Sequence, residues 1–265
     1  MKVIGVKGDS GKEVELPELF SALPREDLVA RAFWVLSSHG RQPYGRDPMA
    51  GMKTSAETYN PPTGRGVARV PRVKGGGQRS GQAAGIASVV KGRLPHPPKA
   101  EKAIYRKINK KERHLALANA IAFTKNHEAV LKRGHRVGRL ELPLVVSDDV
   151  ETIPRTAELR SFLAKVGLEE ELNRLYRGIR RGSGKPRQRG RAYRTRVGPL
   201  IVIANDRGVG KAVSTIPGAE VVPAESLSVL QLAPGGVPGR LTLWTESAIE
   251  IVRSMEKEVE PRIAT

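Results

Sequence analysis

Nearly all of the excess positive charge in this chain lies in two internal segments that cannot build a core of their own. From Gly40 to Ala100, eleven basic residues (Arg41, Arg46, Lys53, Arg65, Arg69, Arg72, Lys74, Arg79, Lys91, Arg93 and Lys99) meet only two acids, Asp47 and Glu57. From Arg177 to Val197 nine more (Arg177, Arg180, Arg181, Lys185, Arg187, Arg189, Arg191, Arg194 and Arg196) stand with no acid at all. The formal charge of the 265-residue chain is +19, so the remainder is within one charge of neutrality. The first segment holds eleven glycines and eight prolines and shows neither helical nor strand periodicity. In the second, arginine alternates with turn formers and little apolar surface is available to bury. Long insertions of this charge are excluded from an apolar interior, so both are expected to be loops held by something else.

A charge balance of this kind points to a polyanion, either nucleic acid or an anionic membrane. Membrane anchoring needs an amphipathic helix or a lipid signal beside the basic cluster, and the glycines and prolines preclude such a helix. A charge run is often only a solvated face or a flexible tail. Both segments here are internal, lie between helix signals and favour arginine, whose planar fork binds phosphate bidentately and stacks on bases. Aromatic residues make up only 4% of the chain, too few for the stacking platforms of common single-strand binders, so recognition is expected to rest on phosphate and shape. The chain has no cysteine, which excludes disulfides, thiolate zinc sites and thiol catalysis. No window is apolar enough to span a membrane and the first residues lack a signal-peptide core, so a cytosolic location is expected.

The balanced remainder alternates strand and helix signals. Between Pro24 and Ser38, Leu28, Val29, Ala32, Phe33 and Leu36 share a helical face, with Glu26 and Asp27 in the first turn and Gly40 as the stop. A second helix is expected from Lys110 to Arg133, opened by Asn109 and Glu112 at capping-box spacing and closed by Gly134. Leu142–Val146 and Pro199–Ala204 read as strands buried on both faces. The stretch from Thr156 to Val166 reads as a helix, Leu241–Trp244 as a strand, and Thr245 as the cap of a final helix. This order predicts one α/β domain over residues 1–265, a doubly wound, mainly parallel sheet flanked by helices. The basic segments 40–100 and 177–197 are expected to be a long non-globular arm and a second insertion loop within it.

Such a sheet raises the question of an enzyme. The stretch Asn205–Lys211 follows a strand and looks like a phosphate loop, but Asn205 stands where the first glycine is required and Ala212 where the closing Ser/Thr is required. Asp148 and Asp149 follow the Leu142–Val146 strand, a position that suits magnesium ligands but far more often is a solvated strand-to-helix turn. The five histidines show no metal-ligand spacing, and no serine sits in a nucleophile elbow. No enzyme activity, cofactor, metal site or small-molecule substrate is expected.

The stretch from Ser38 to Glu57, SHGRQPYGRDPMAGMKTSAE, together with Gly64–Arg72 and Gly92–Lys102, resembles the ribosomal protein L four family of the large subunit, in its archaeal and eukaryotic form. The resemblance runs over essentially the whole chain. It implies a globular α/β domain on the solvent side of the subunit and a loop running inward through rRNA toward the nascent-peptide exit tunnel, opposite ribosomal protein L twenty-two. On this reading the 40–100 arm is that loop, with Gly64 to Gly77 as its tip, and the partners are large-subunit rRNA and neighbouring ribosomal proteins. The chain lacks the long C-terminal extension of eukaryotic members, so the archaeal form is expected.

Overall fold

The computed structural model describes residues 1–6, 8–58 and 63–263, with backbone alone at 8–11 and 256–263. Two compact units emerge, one formed by Met1–Ser38 with Lys107–Thr265 and one by His39–Arg106. The first opens with strands β1 (Lys2–Gly5) and β2 (Gly8–Glu13) and helix α1 (Glu26–Ser38). The second holds the two-residue strands β3 (Ala56–Glu57) and β4 (Arg72–Val73). The first unit resumes with α2 (Lys110–Lys125), α3 (His127–Lys132), β5 (Leu144–Val146), α4 (Thr156–Lys165) and α5 (Glu169–Arg177). There follow β6 (Arg180–Arg181), α6 (Gly184–Gln188), β7 (Tyr193–Arg194), β8 (Leu200–Ile203) and α7 (Val209–Ser214). The chain ends through β9 (Glu220–Pro223), α8 (Val229–Leu232), β10 (Thr242–Thr245) and α9 (Glu246–Ile263).

Six strands form one sheet in the order β2-β1-β5-β10-β8-β9, parallel throughout except for the β1–β2 hairpin. Strand alternation divides its side chains between two cores. Leu144, Val146, Ile201, Ile203 and Leu243 meet α4, α5 and α7 on one face. Val145, Leu200, Val202 and Trp244 meet α1, α2, α8 and α9 on the other. Fully buried Trp244 packs edge-on against Phe20 and donates its indole N–H to Thr242 Oγ1 at 3.1 Å, so its one polar atom is satisfied. The expected α/β class, mainly parallel sheet and flanking helices are all present.

Several local expectations need correction. The helix anticipated over Lys110–Arg133 is two helices broken at Asn126, whose side-chain oxygen accepts from the backbone N–H groups of Glu128 (3.0 Å) and Ala129 (3.3 Å). One asparagine thus ends α2 and caps α3. No capping box forms at Asn109, because Glu112 reaches Arg31 of α1 at 3.2 Å instead. The α1 stripe is rotated slightly from the one anticipated: Val29, Ala32 and Val35 are buried, whereas Leu28, Phe33 and Leu36 are half-buried. Thr245 does cap the last helix, accepting from Ala248 N at 3.3 Å. Asn126→Ala is expected to lower stability by about 1 kcal/mol through loss of the α3 cap, measured as a shifted urea midpoint at unchanged slope.

Candidate nucleic-acid interface

The carboxyl edge of the sheet, where α/β enzymes bind ligands, is closed by the chain's own acids. Buried Glu151 accepts from Ala204 N (2.8 Å) and from Thr245 Oγ1 (3.0 Å), tying the ends of β8 and β10 together. Asp148 accepts from Ser247 N at 3.0 Å and from the Ser247 hydroxyl, so it serves the start of α9. In the phosphate-loop lookalike, Asp206 Oδ1 accepts from Gly208 N (2.9 Å) and Gly210 N (3.1 Å). Its carboxylate therefore takes the amide groups that a phosphate would need. A Cβ on Gly210 would lie 2.4 Å from Asp206 Oδ2, which shows how tightly the loop closes on that side chain. Among the described residues no group of His, Asp and Glu has metal-binding geometry.

The charge lies elsewhere. Within the His39–Arg106 unit, β3 pairs with β4, and Arg72 bridges to Ala83 beyond it. The segment is thus partly organised rather than structureless, although residues 59–62 fall outside the described residues. Backbone crossings replace a core: a Cβ on Gly92 would lie 1.8 Å from Ile86 O, and one on Gly51 2.5 Å from Gly92 O. Only glycine permits approaches this close, and Gly51 also has a φ of 85°. Arg72 is turned to internal use, donating to Gly81 O (2.9 Å) and Ala68 O (3.2 Å). The two acids are neutralised locally, Asp47 by Lys53 at 2.7 Å and Glu57 by Lys74. Arg41, Arg46, Arg65, Arg69, Arg79, Lys91, Arg93 and Lys99 are exposed and make no ion pair among the described residues.

The second segment is also more ordered than its composition suggests. Arg177 ends α5, β6 and β7 form a short antiparallel hairpin, and α6 makes a single helical turn between them. Arg180, Arg181, Lys185, Arg187, Arg189, Arg191, Arg194 and Arg196 are exposed and unpaired among the described residues. The root of the hairpin rests on a buried ionic cluster that sequence reading missed. Fully buried Glu171 receives Arg174 Nη2 (2.6 Å) and His135 Nδ1 (2.7 Å) on one oxygen, and Arg174 Nε (2.8 Å) and Arg136 N (2.9 Å) on the other. Arg174 Nη2 also donates to Val197 O at 2.8 Å, which fixes the returning strand. Burial alone would raise the Glu171 pKa, but the bonds from His135, Arg174 and Arg136 outweigh it and hold the carboxyl at about 2. Burial pushes the His135 pKa down against the pull of Glu171, whose carboxylate faces the ring Nδ1.

The residues thus described are two stretches rich in cations that make no ion pair among the described residues, and a sheet whose ligand edge is taken up by the chain's own acids. A family model described as the ribosomal protein L4/L1 family matches residues 14–255. Proteins named large ribosomal subunit protein uL4 are similar over nearly the whole chain. That of Methanosphaera stadtmanae is 43% identical over 94% of this chain and 95% of its own. That of Thermoplasma acidophilum is 41% identical over 96% and 98%, and that of Archaeoglobus fulgidus 43% over 94% and 96%. With a match spanning both basic segments and four of the six strands of the sheet, the chain belongs to the ribosomal protein L4/L1 family, in its archaeal form.

Proposed function

We propose that this chain is a structural, non-catalytic constituent of the large ribosomal subunit that binds large-subunit rRNA through residues 40–100 and 177–197, both carried as insertions in one α/β domain spanning 1–265. The observation that carries this reading is the confinement of the net positive charge to those two segments, where most of the cations are exposed and make no ion pair among the described residues, while the rest of the chain is near neutral. Lone arginines facing solvent gain little from their own protein. Against a phosphate backbone each displaces condensed counterions, which is a large favourable term. The relatives' shared name supports the ribosome in the cytoplasm as the place where that backbone is met.

The family resemblance further supports a finer assignment. The 40–100 segment would reach toward the nascent-peptide exit tunnel and help line it beside ribosomal protein L twenty-two, with residues 64–77 as the tip. Gly64 and Gly66 have φ of 76° and 68° and open space around them, so the backbone there is free to lie flat against another surface. A nucleotide-dependent enzyme is disfavoured because Asp206 already occupies the loop amides.

The native protein is expected to co-sediment with large subunits through a high-salt wash, and a photo-crosslinker placed at Gly66 is expected to capture stalled nascent chains. Release into the soluble fraction at moderate salt would overturn the structural role. Retention without nascent-chain capture would overturn only the tunnel assignment.

A further inference from the structure

The β6–β7 hairpin has two chemically different faces. Arg180 pairs with Arg194 and Arg181 with Tyr193, and Gly182 N donates to Ala192 O at 2.8 Å, carrying the same register toward the turn. Neighbouring side chains of a strand point to opposite faces. Arg180 and Arg194 therefore share one face, and Arg181 and Tyr193 share the other.

On the first face two like charges stand directly opposite each other, an arrangement that destabilises a strand pair. No acid occurs anywhere from Arg177 to Val197 to relieve it. An anion offering two acceptor oxygens relieves it, because each guanidinium then gains a charge-assisted bond. A phosphodiester has those two oxygens.

On the second face Tyr193 stands opposite Arg181 in register, and its side chain is 65% exposed. Neither side chain has a hydrogen-bond, ring or charge partner among the described residues. A ring and a guanidinium side by side offer a flat, polarisable surface on which a nucleobase stacks. A base inside a helix is already stacked on both sides, so the surface suits an unpaired one.

Building on the RNA-binding reading above, we infer that this hairpin grips an rRNA strand at an unpaired nucleotide, with Arg180 and Arg194 holding backbone phosphate and Tyr193 with Arg181 stacking on a nearby base. The strand crosses the ribbon edge, so both faces are used at once. Recognition here goes beyond the phosphate and shape contacts to which the low aromatic content pointed. The ribbon is held ready by its root, where Arg174 bonds Val197 O and Gly178 lets Arg196 pass: a Cβ at Gly178 would lie 2.6 Å from Arg196 Cδ.

The test uses the full chain and a large-subunit rRNA transcript, with affinity measured across a salt series and nucleotide flexibility read by 2′-hydroxyl acylation. Tyr193→Ala is expected to weaken binding by about 10- to 100-fold with the salt slope unchanged, since stacking is not ionic. It is also expected to restore acylation at one or two unpaired nucleotides that the parent protects. Tyr193→Phe is expected to bind like the parent. The double variant Arg180→Gln with Arg194→Gln is expected to lower the slope by up to about 2 units. Parent-like affinity and footprint for Tyr193→Ala would overturn the stacking face. A slope change in Tyr193→Ala equal to that of the double arginine variant would also overturn it, because the ring would then act only by shaping the ribbon. Failure of the parent to bind the transcript would instead overturn the RNA reading itself.

Discussion

Changing Arg187, Arg189, Arg191 and Arg194 together to Gln is expected to lower the slope of log affinity for rRNA against log salt by up to about 3 units. Each arginine that neutralises a phosphate contributes roughly 0.7–0.9 to that slope, the lower value applying to single strands. Extrapolated from 1 M to 0.1 M salt, the same four contacts amount to about a thousandfold in affinity. All four side chains are exposed and bound to nothing within the described protein, so their removal costs the fold little. Matched changes at Lys2, Lys125, Lys132 and Lys165, all exposed in the near-neutral remainder of the chain, are expected to alter the slope by less than about 1 unit. Filter binding of parent and both quadruple variants over a salt series makes the comparison. Equal losses in the two variants would mean that the charge acts as a diffuse field, and the two-segment interface would be wrong.

Charge placement was legible in the sequence because it needs no fold to be read: a run of arginines without acids stays unpaired unless a distant carboxylate is folded against it. The sheet class was legible for a similar reason, since Leu200–Ile203 and Leu144–Val146 are apolar at every position and only a strand covered on both faces accommodates that. What stayed hidden depends on partners far away in sequence. Glu112 gave up its capping role for Arg31, a residue on another helix. Asn126 looked like one more polar position on a helix, and its double capping role appears only once the chain turns there. Glu171 is the third of three consecutive glutamates and reads as a solvated first turn; its partner His135 lies 36 residues away. Strand β9 was invisible because its four residues are mostly surface-facing, with only Val222 buried. The basic hairpin was masked by glycine and arginine content that normally signals disorder. Only its register, Arg180 opposite Arg194, reveals that the segment has faces.

Glu171→Gln is expected to be the most destabilising single change outside the apolar cores. The substitution removes the one carboxylate among the described residues that pairs with Arg174 and leaves a guanidinium 9% exposed without its charge partner. Breaking a buried ion pair from one side costs about 3–5 kcal/mol. For a chain of this length that is a fall of roughly 10 °C in melting temperature. The pH dependence follows from the same cluster. Glu171 keeps its charge in the folded protein down to about pH 2, against an ordinary value of 4.5, so an unfolded chain takes up a proton that the folded chain refuses. The resulting stabilisation is complete above about pH 4.5 and is lost as pH falls toward 2. His135 acts in the same direction at higher pH: its folded-state value is lowered below 6.5, so protonation of the unfolded ring begins to draw the equilibrium toward unfolding as pH drops through that value. Urea unfolding of the RNA-free protein at pH 7, 5 and 3 is therefore expected to show a steep acid limb in the parent and a shallower one in Glu171→Gln. Because Arg174 also holds Val197 O, the variant is expected to bind rRNA more weakly at every salt concentration while keeping the parental slope, the hairpin cations being present but less well positioned. An unchanged acid limb would show that the cluster does not support the fold. Unchanged rRNA affinity beside a lowered melting temperature would show that the hairpin is presented without it.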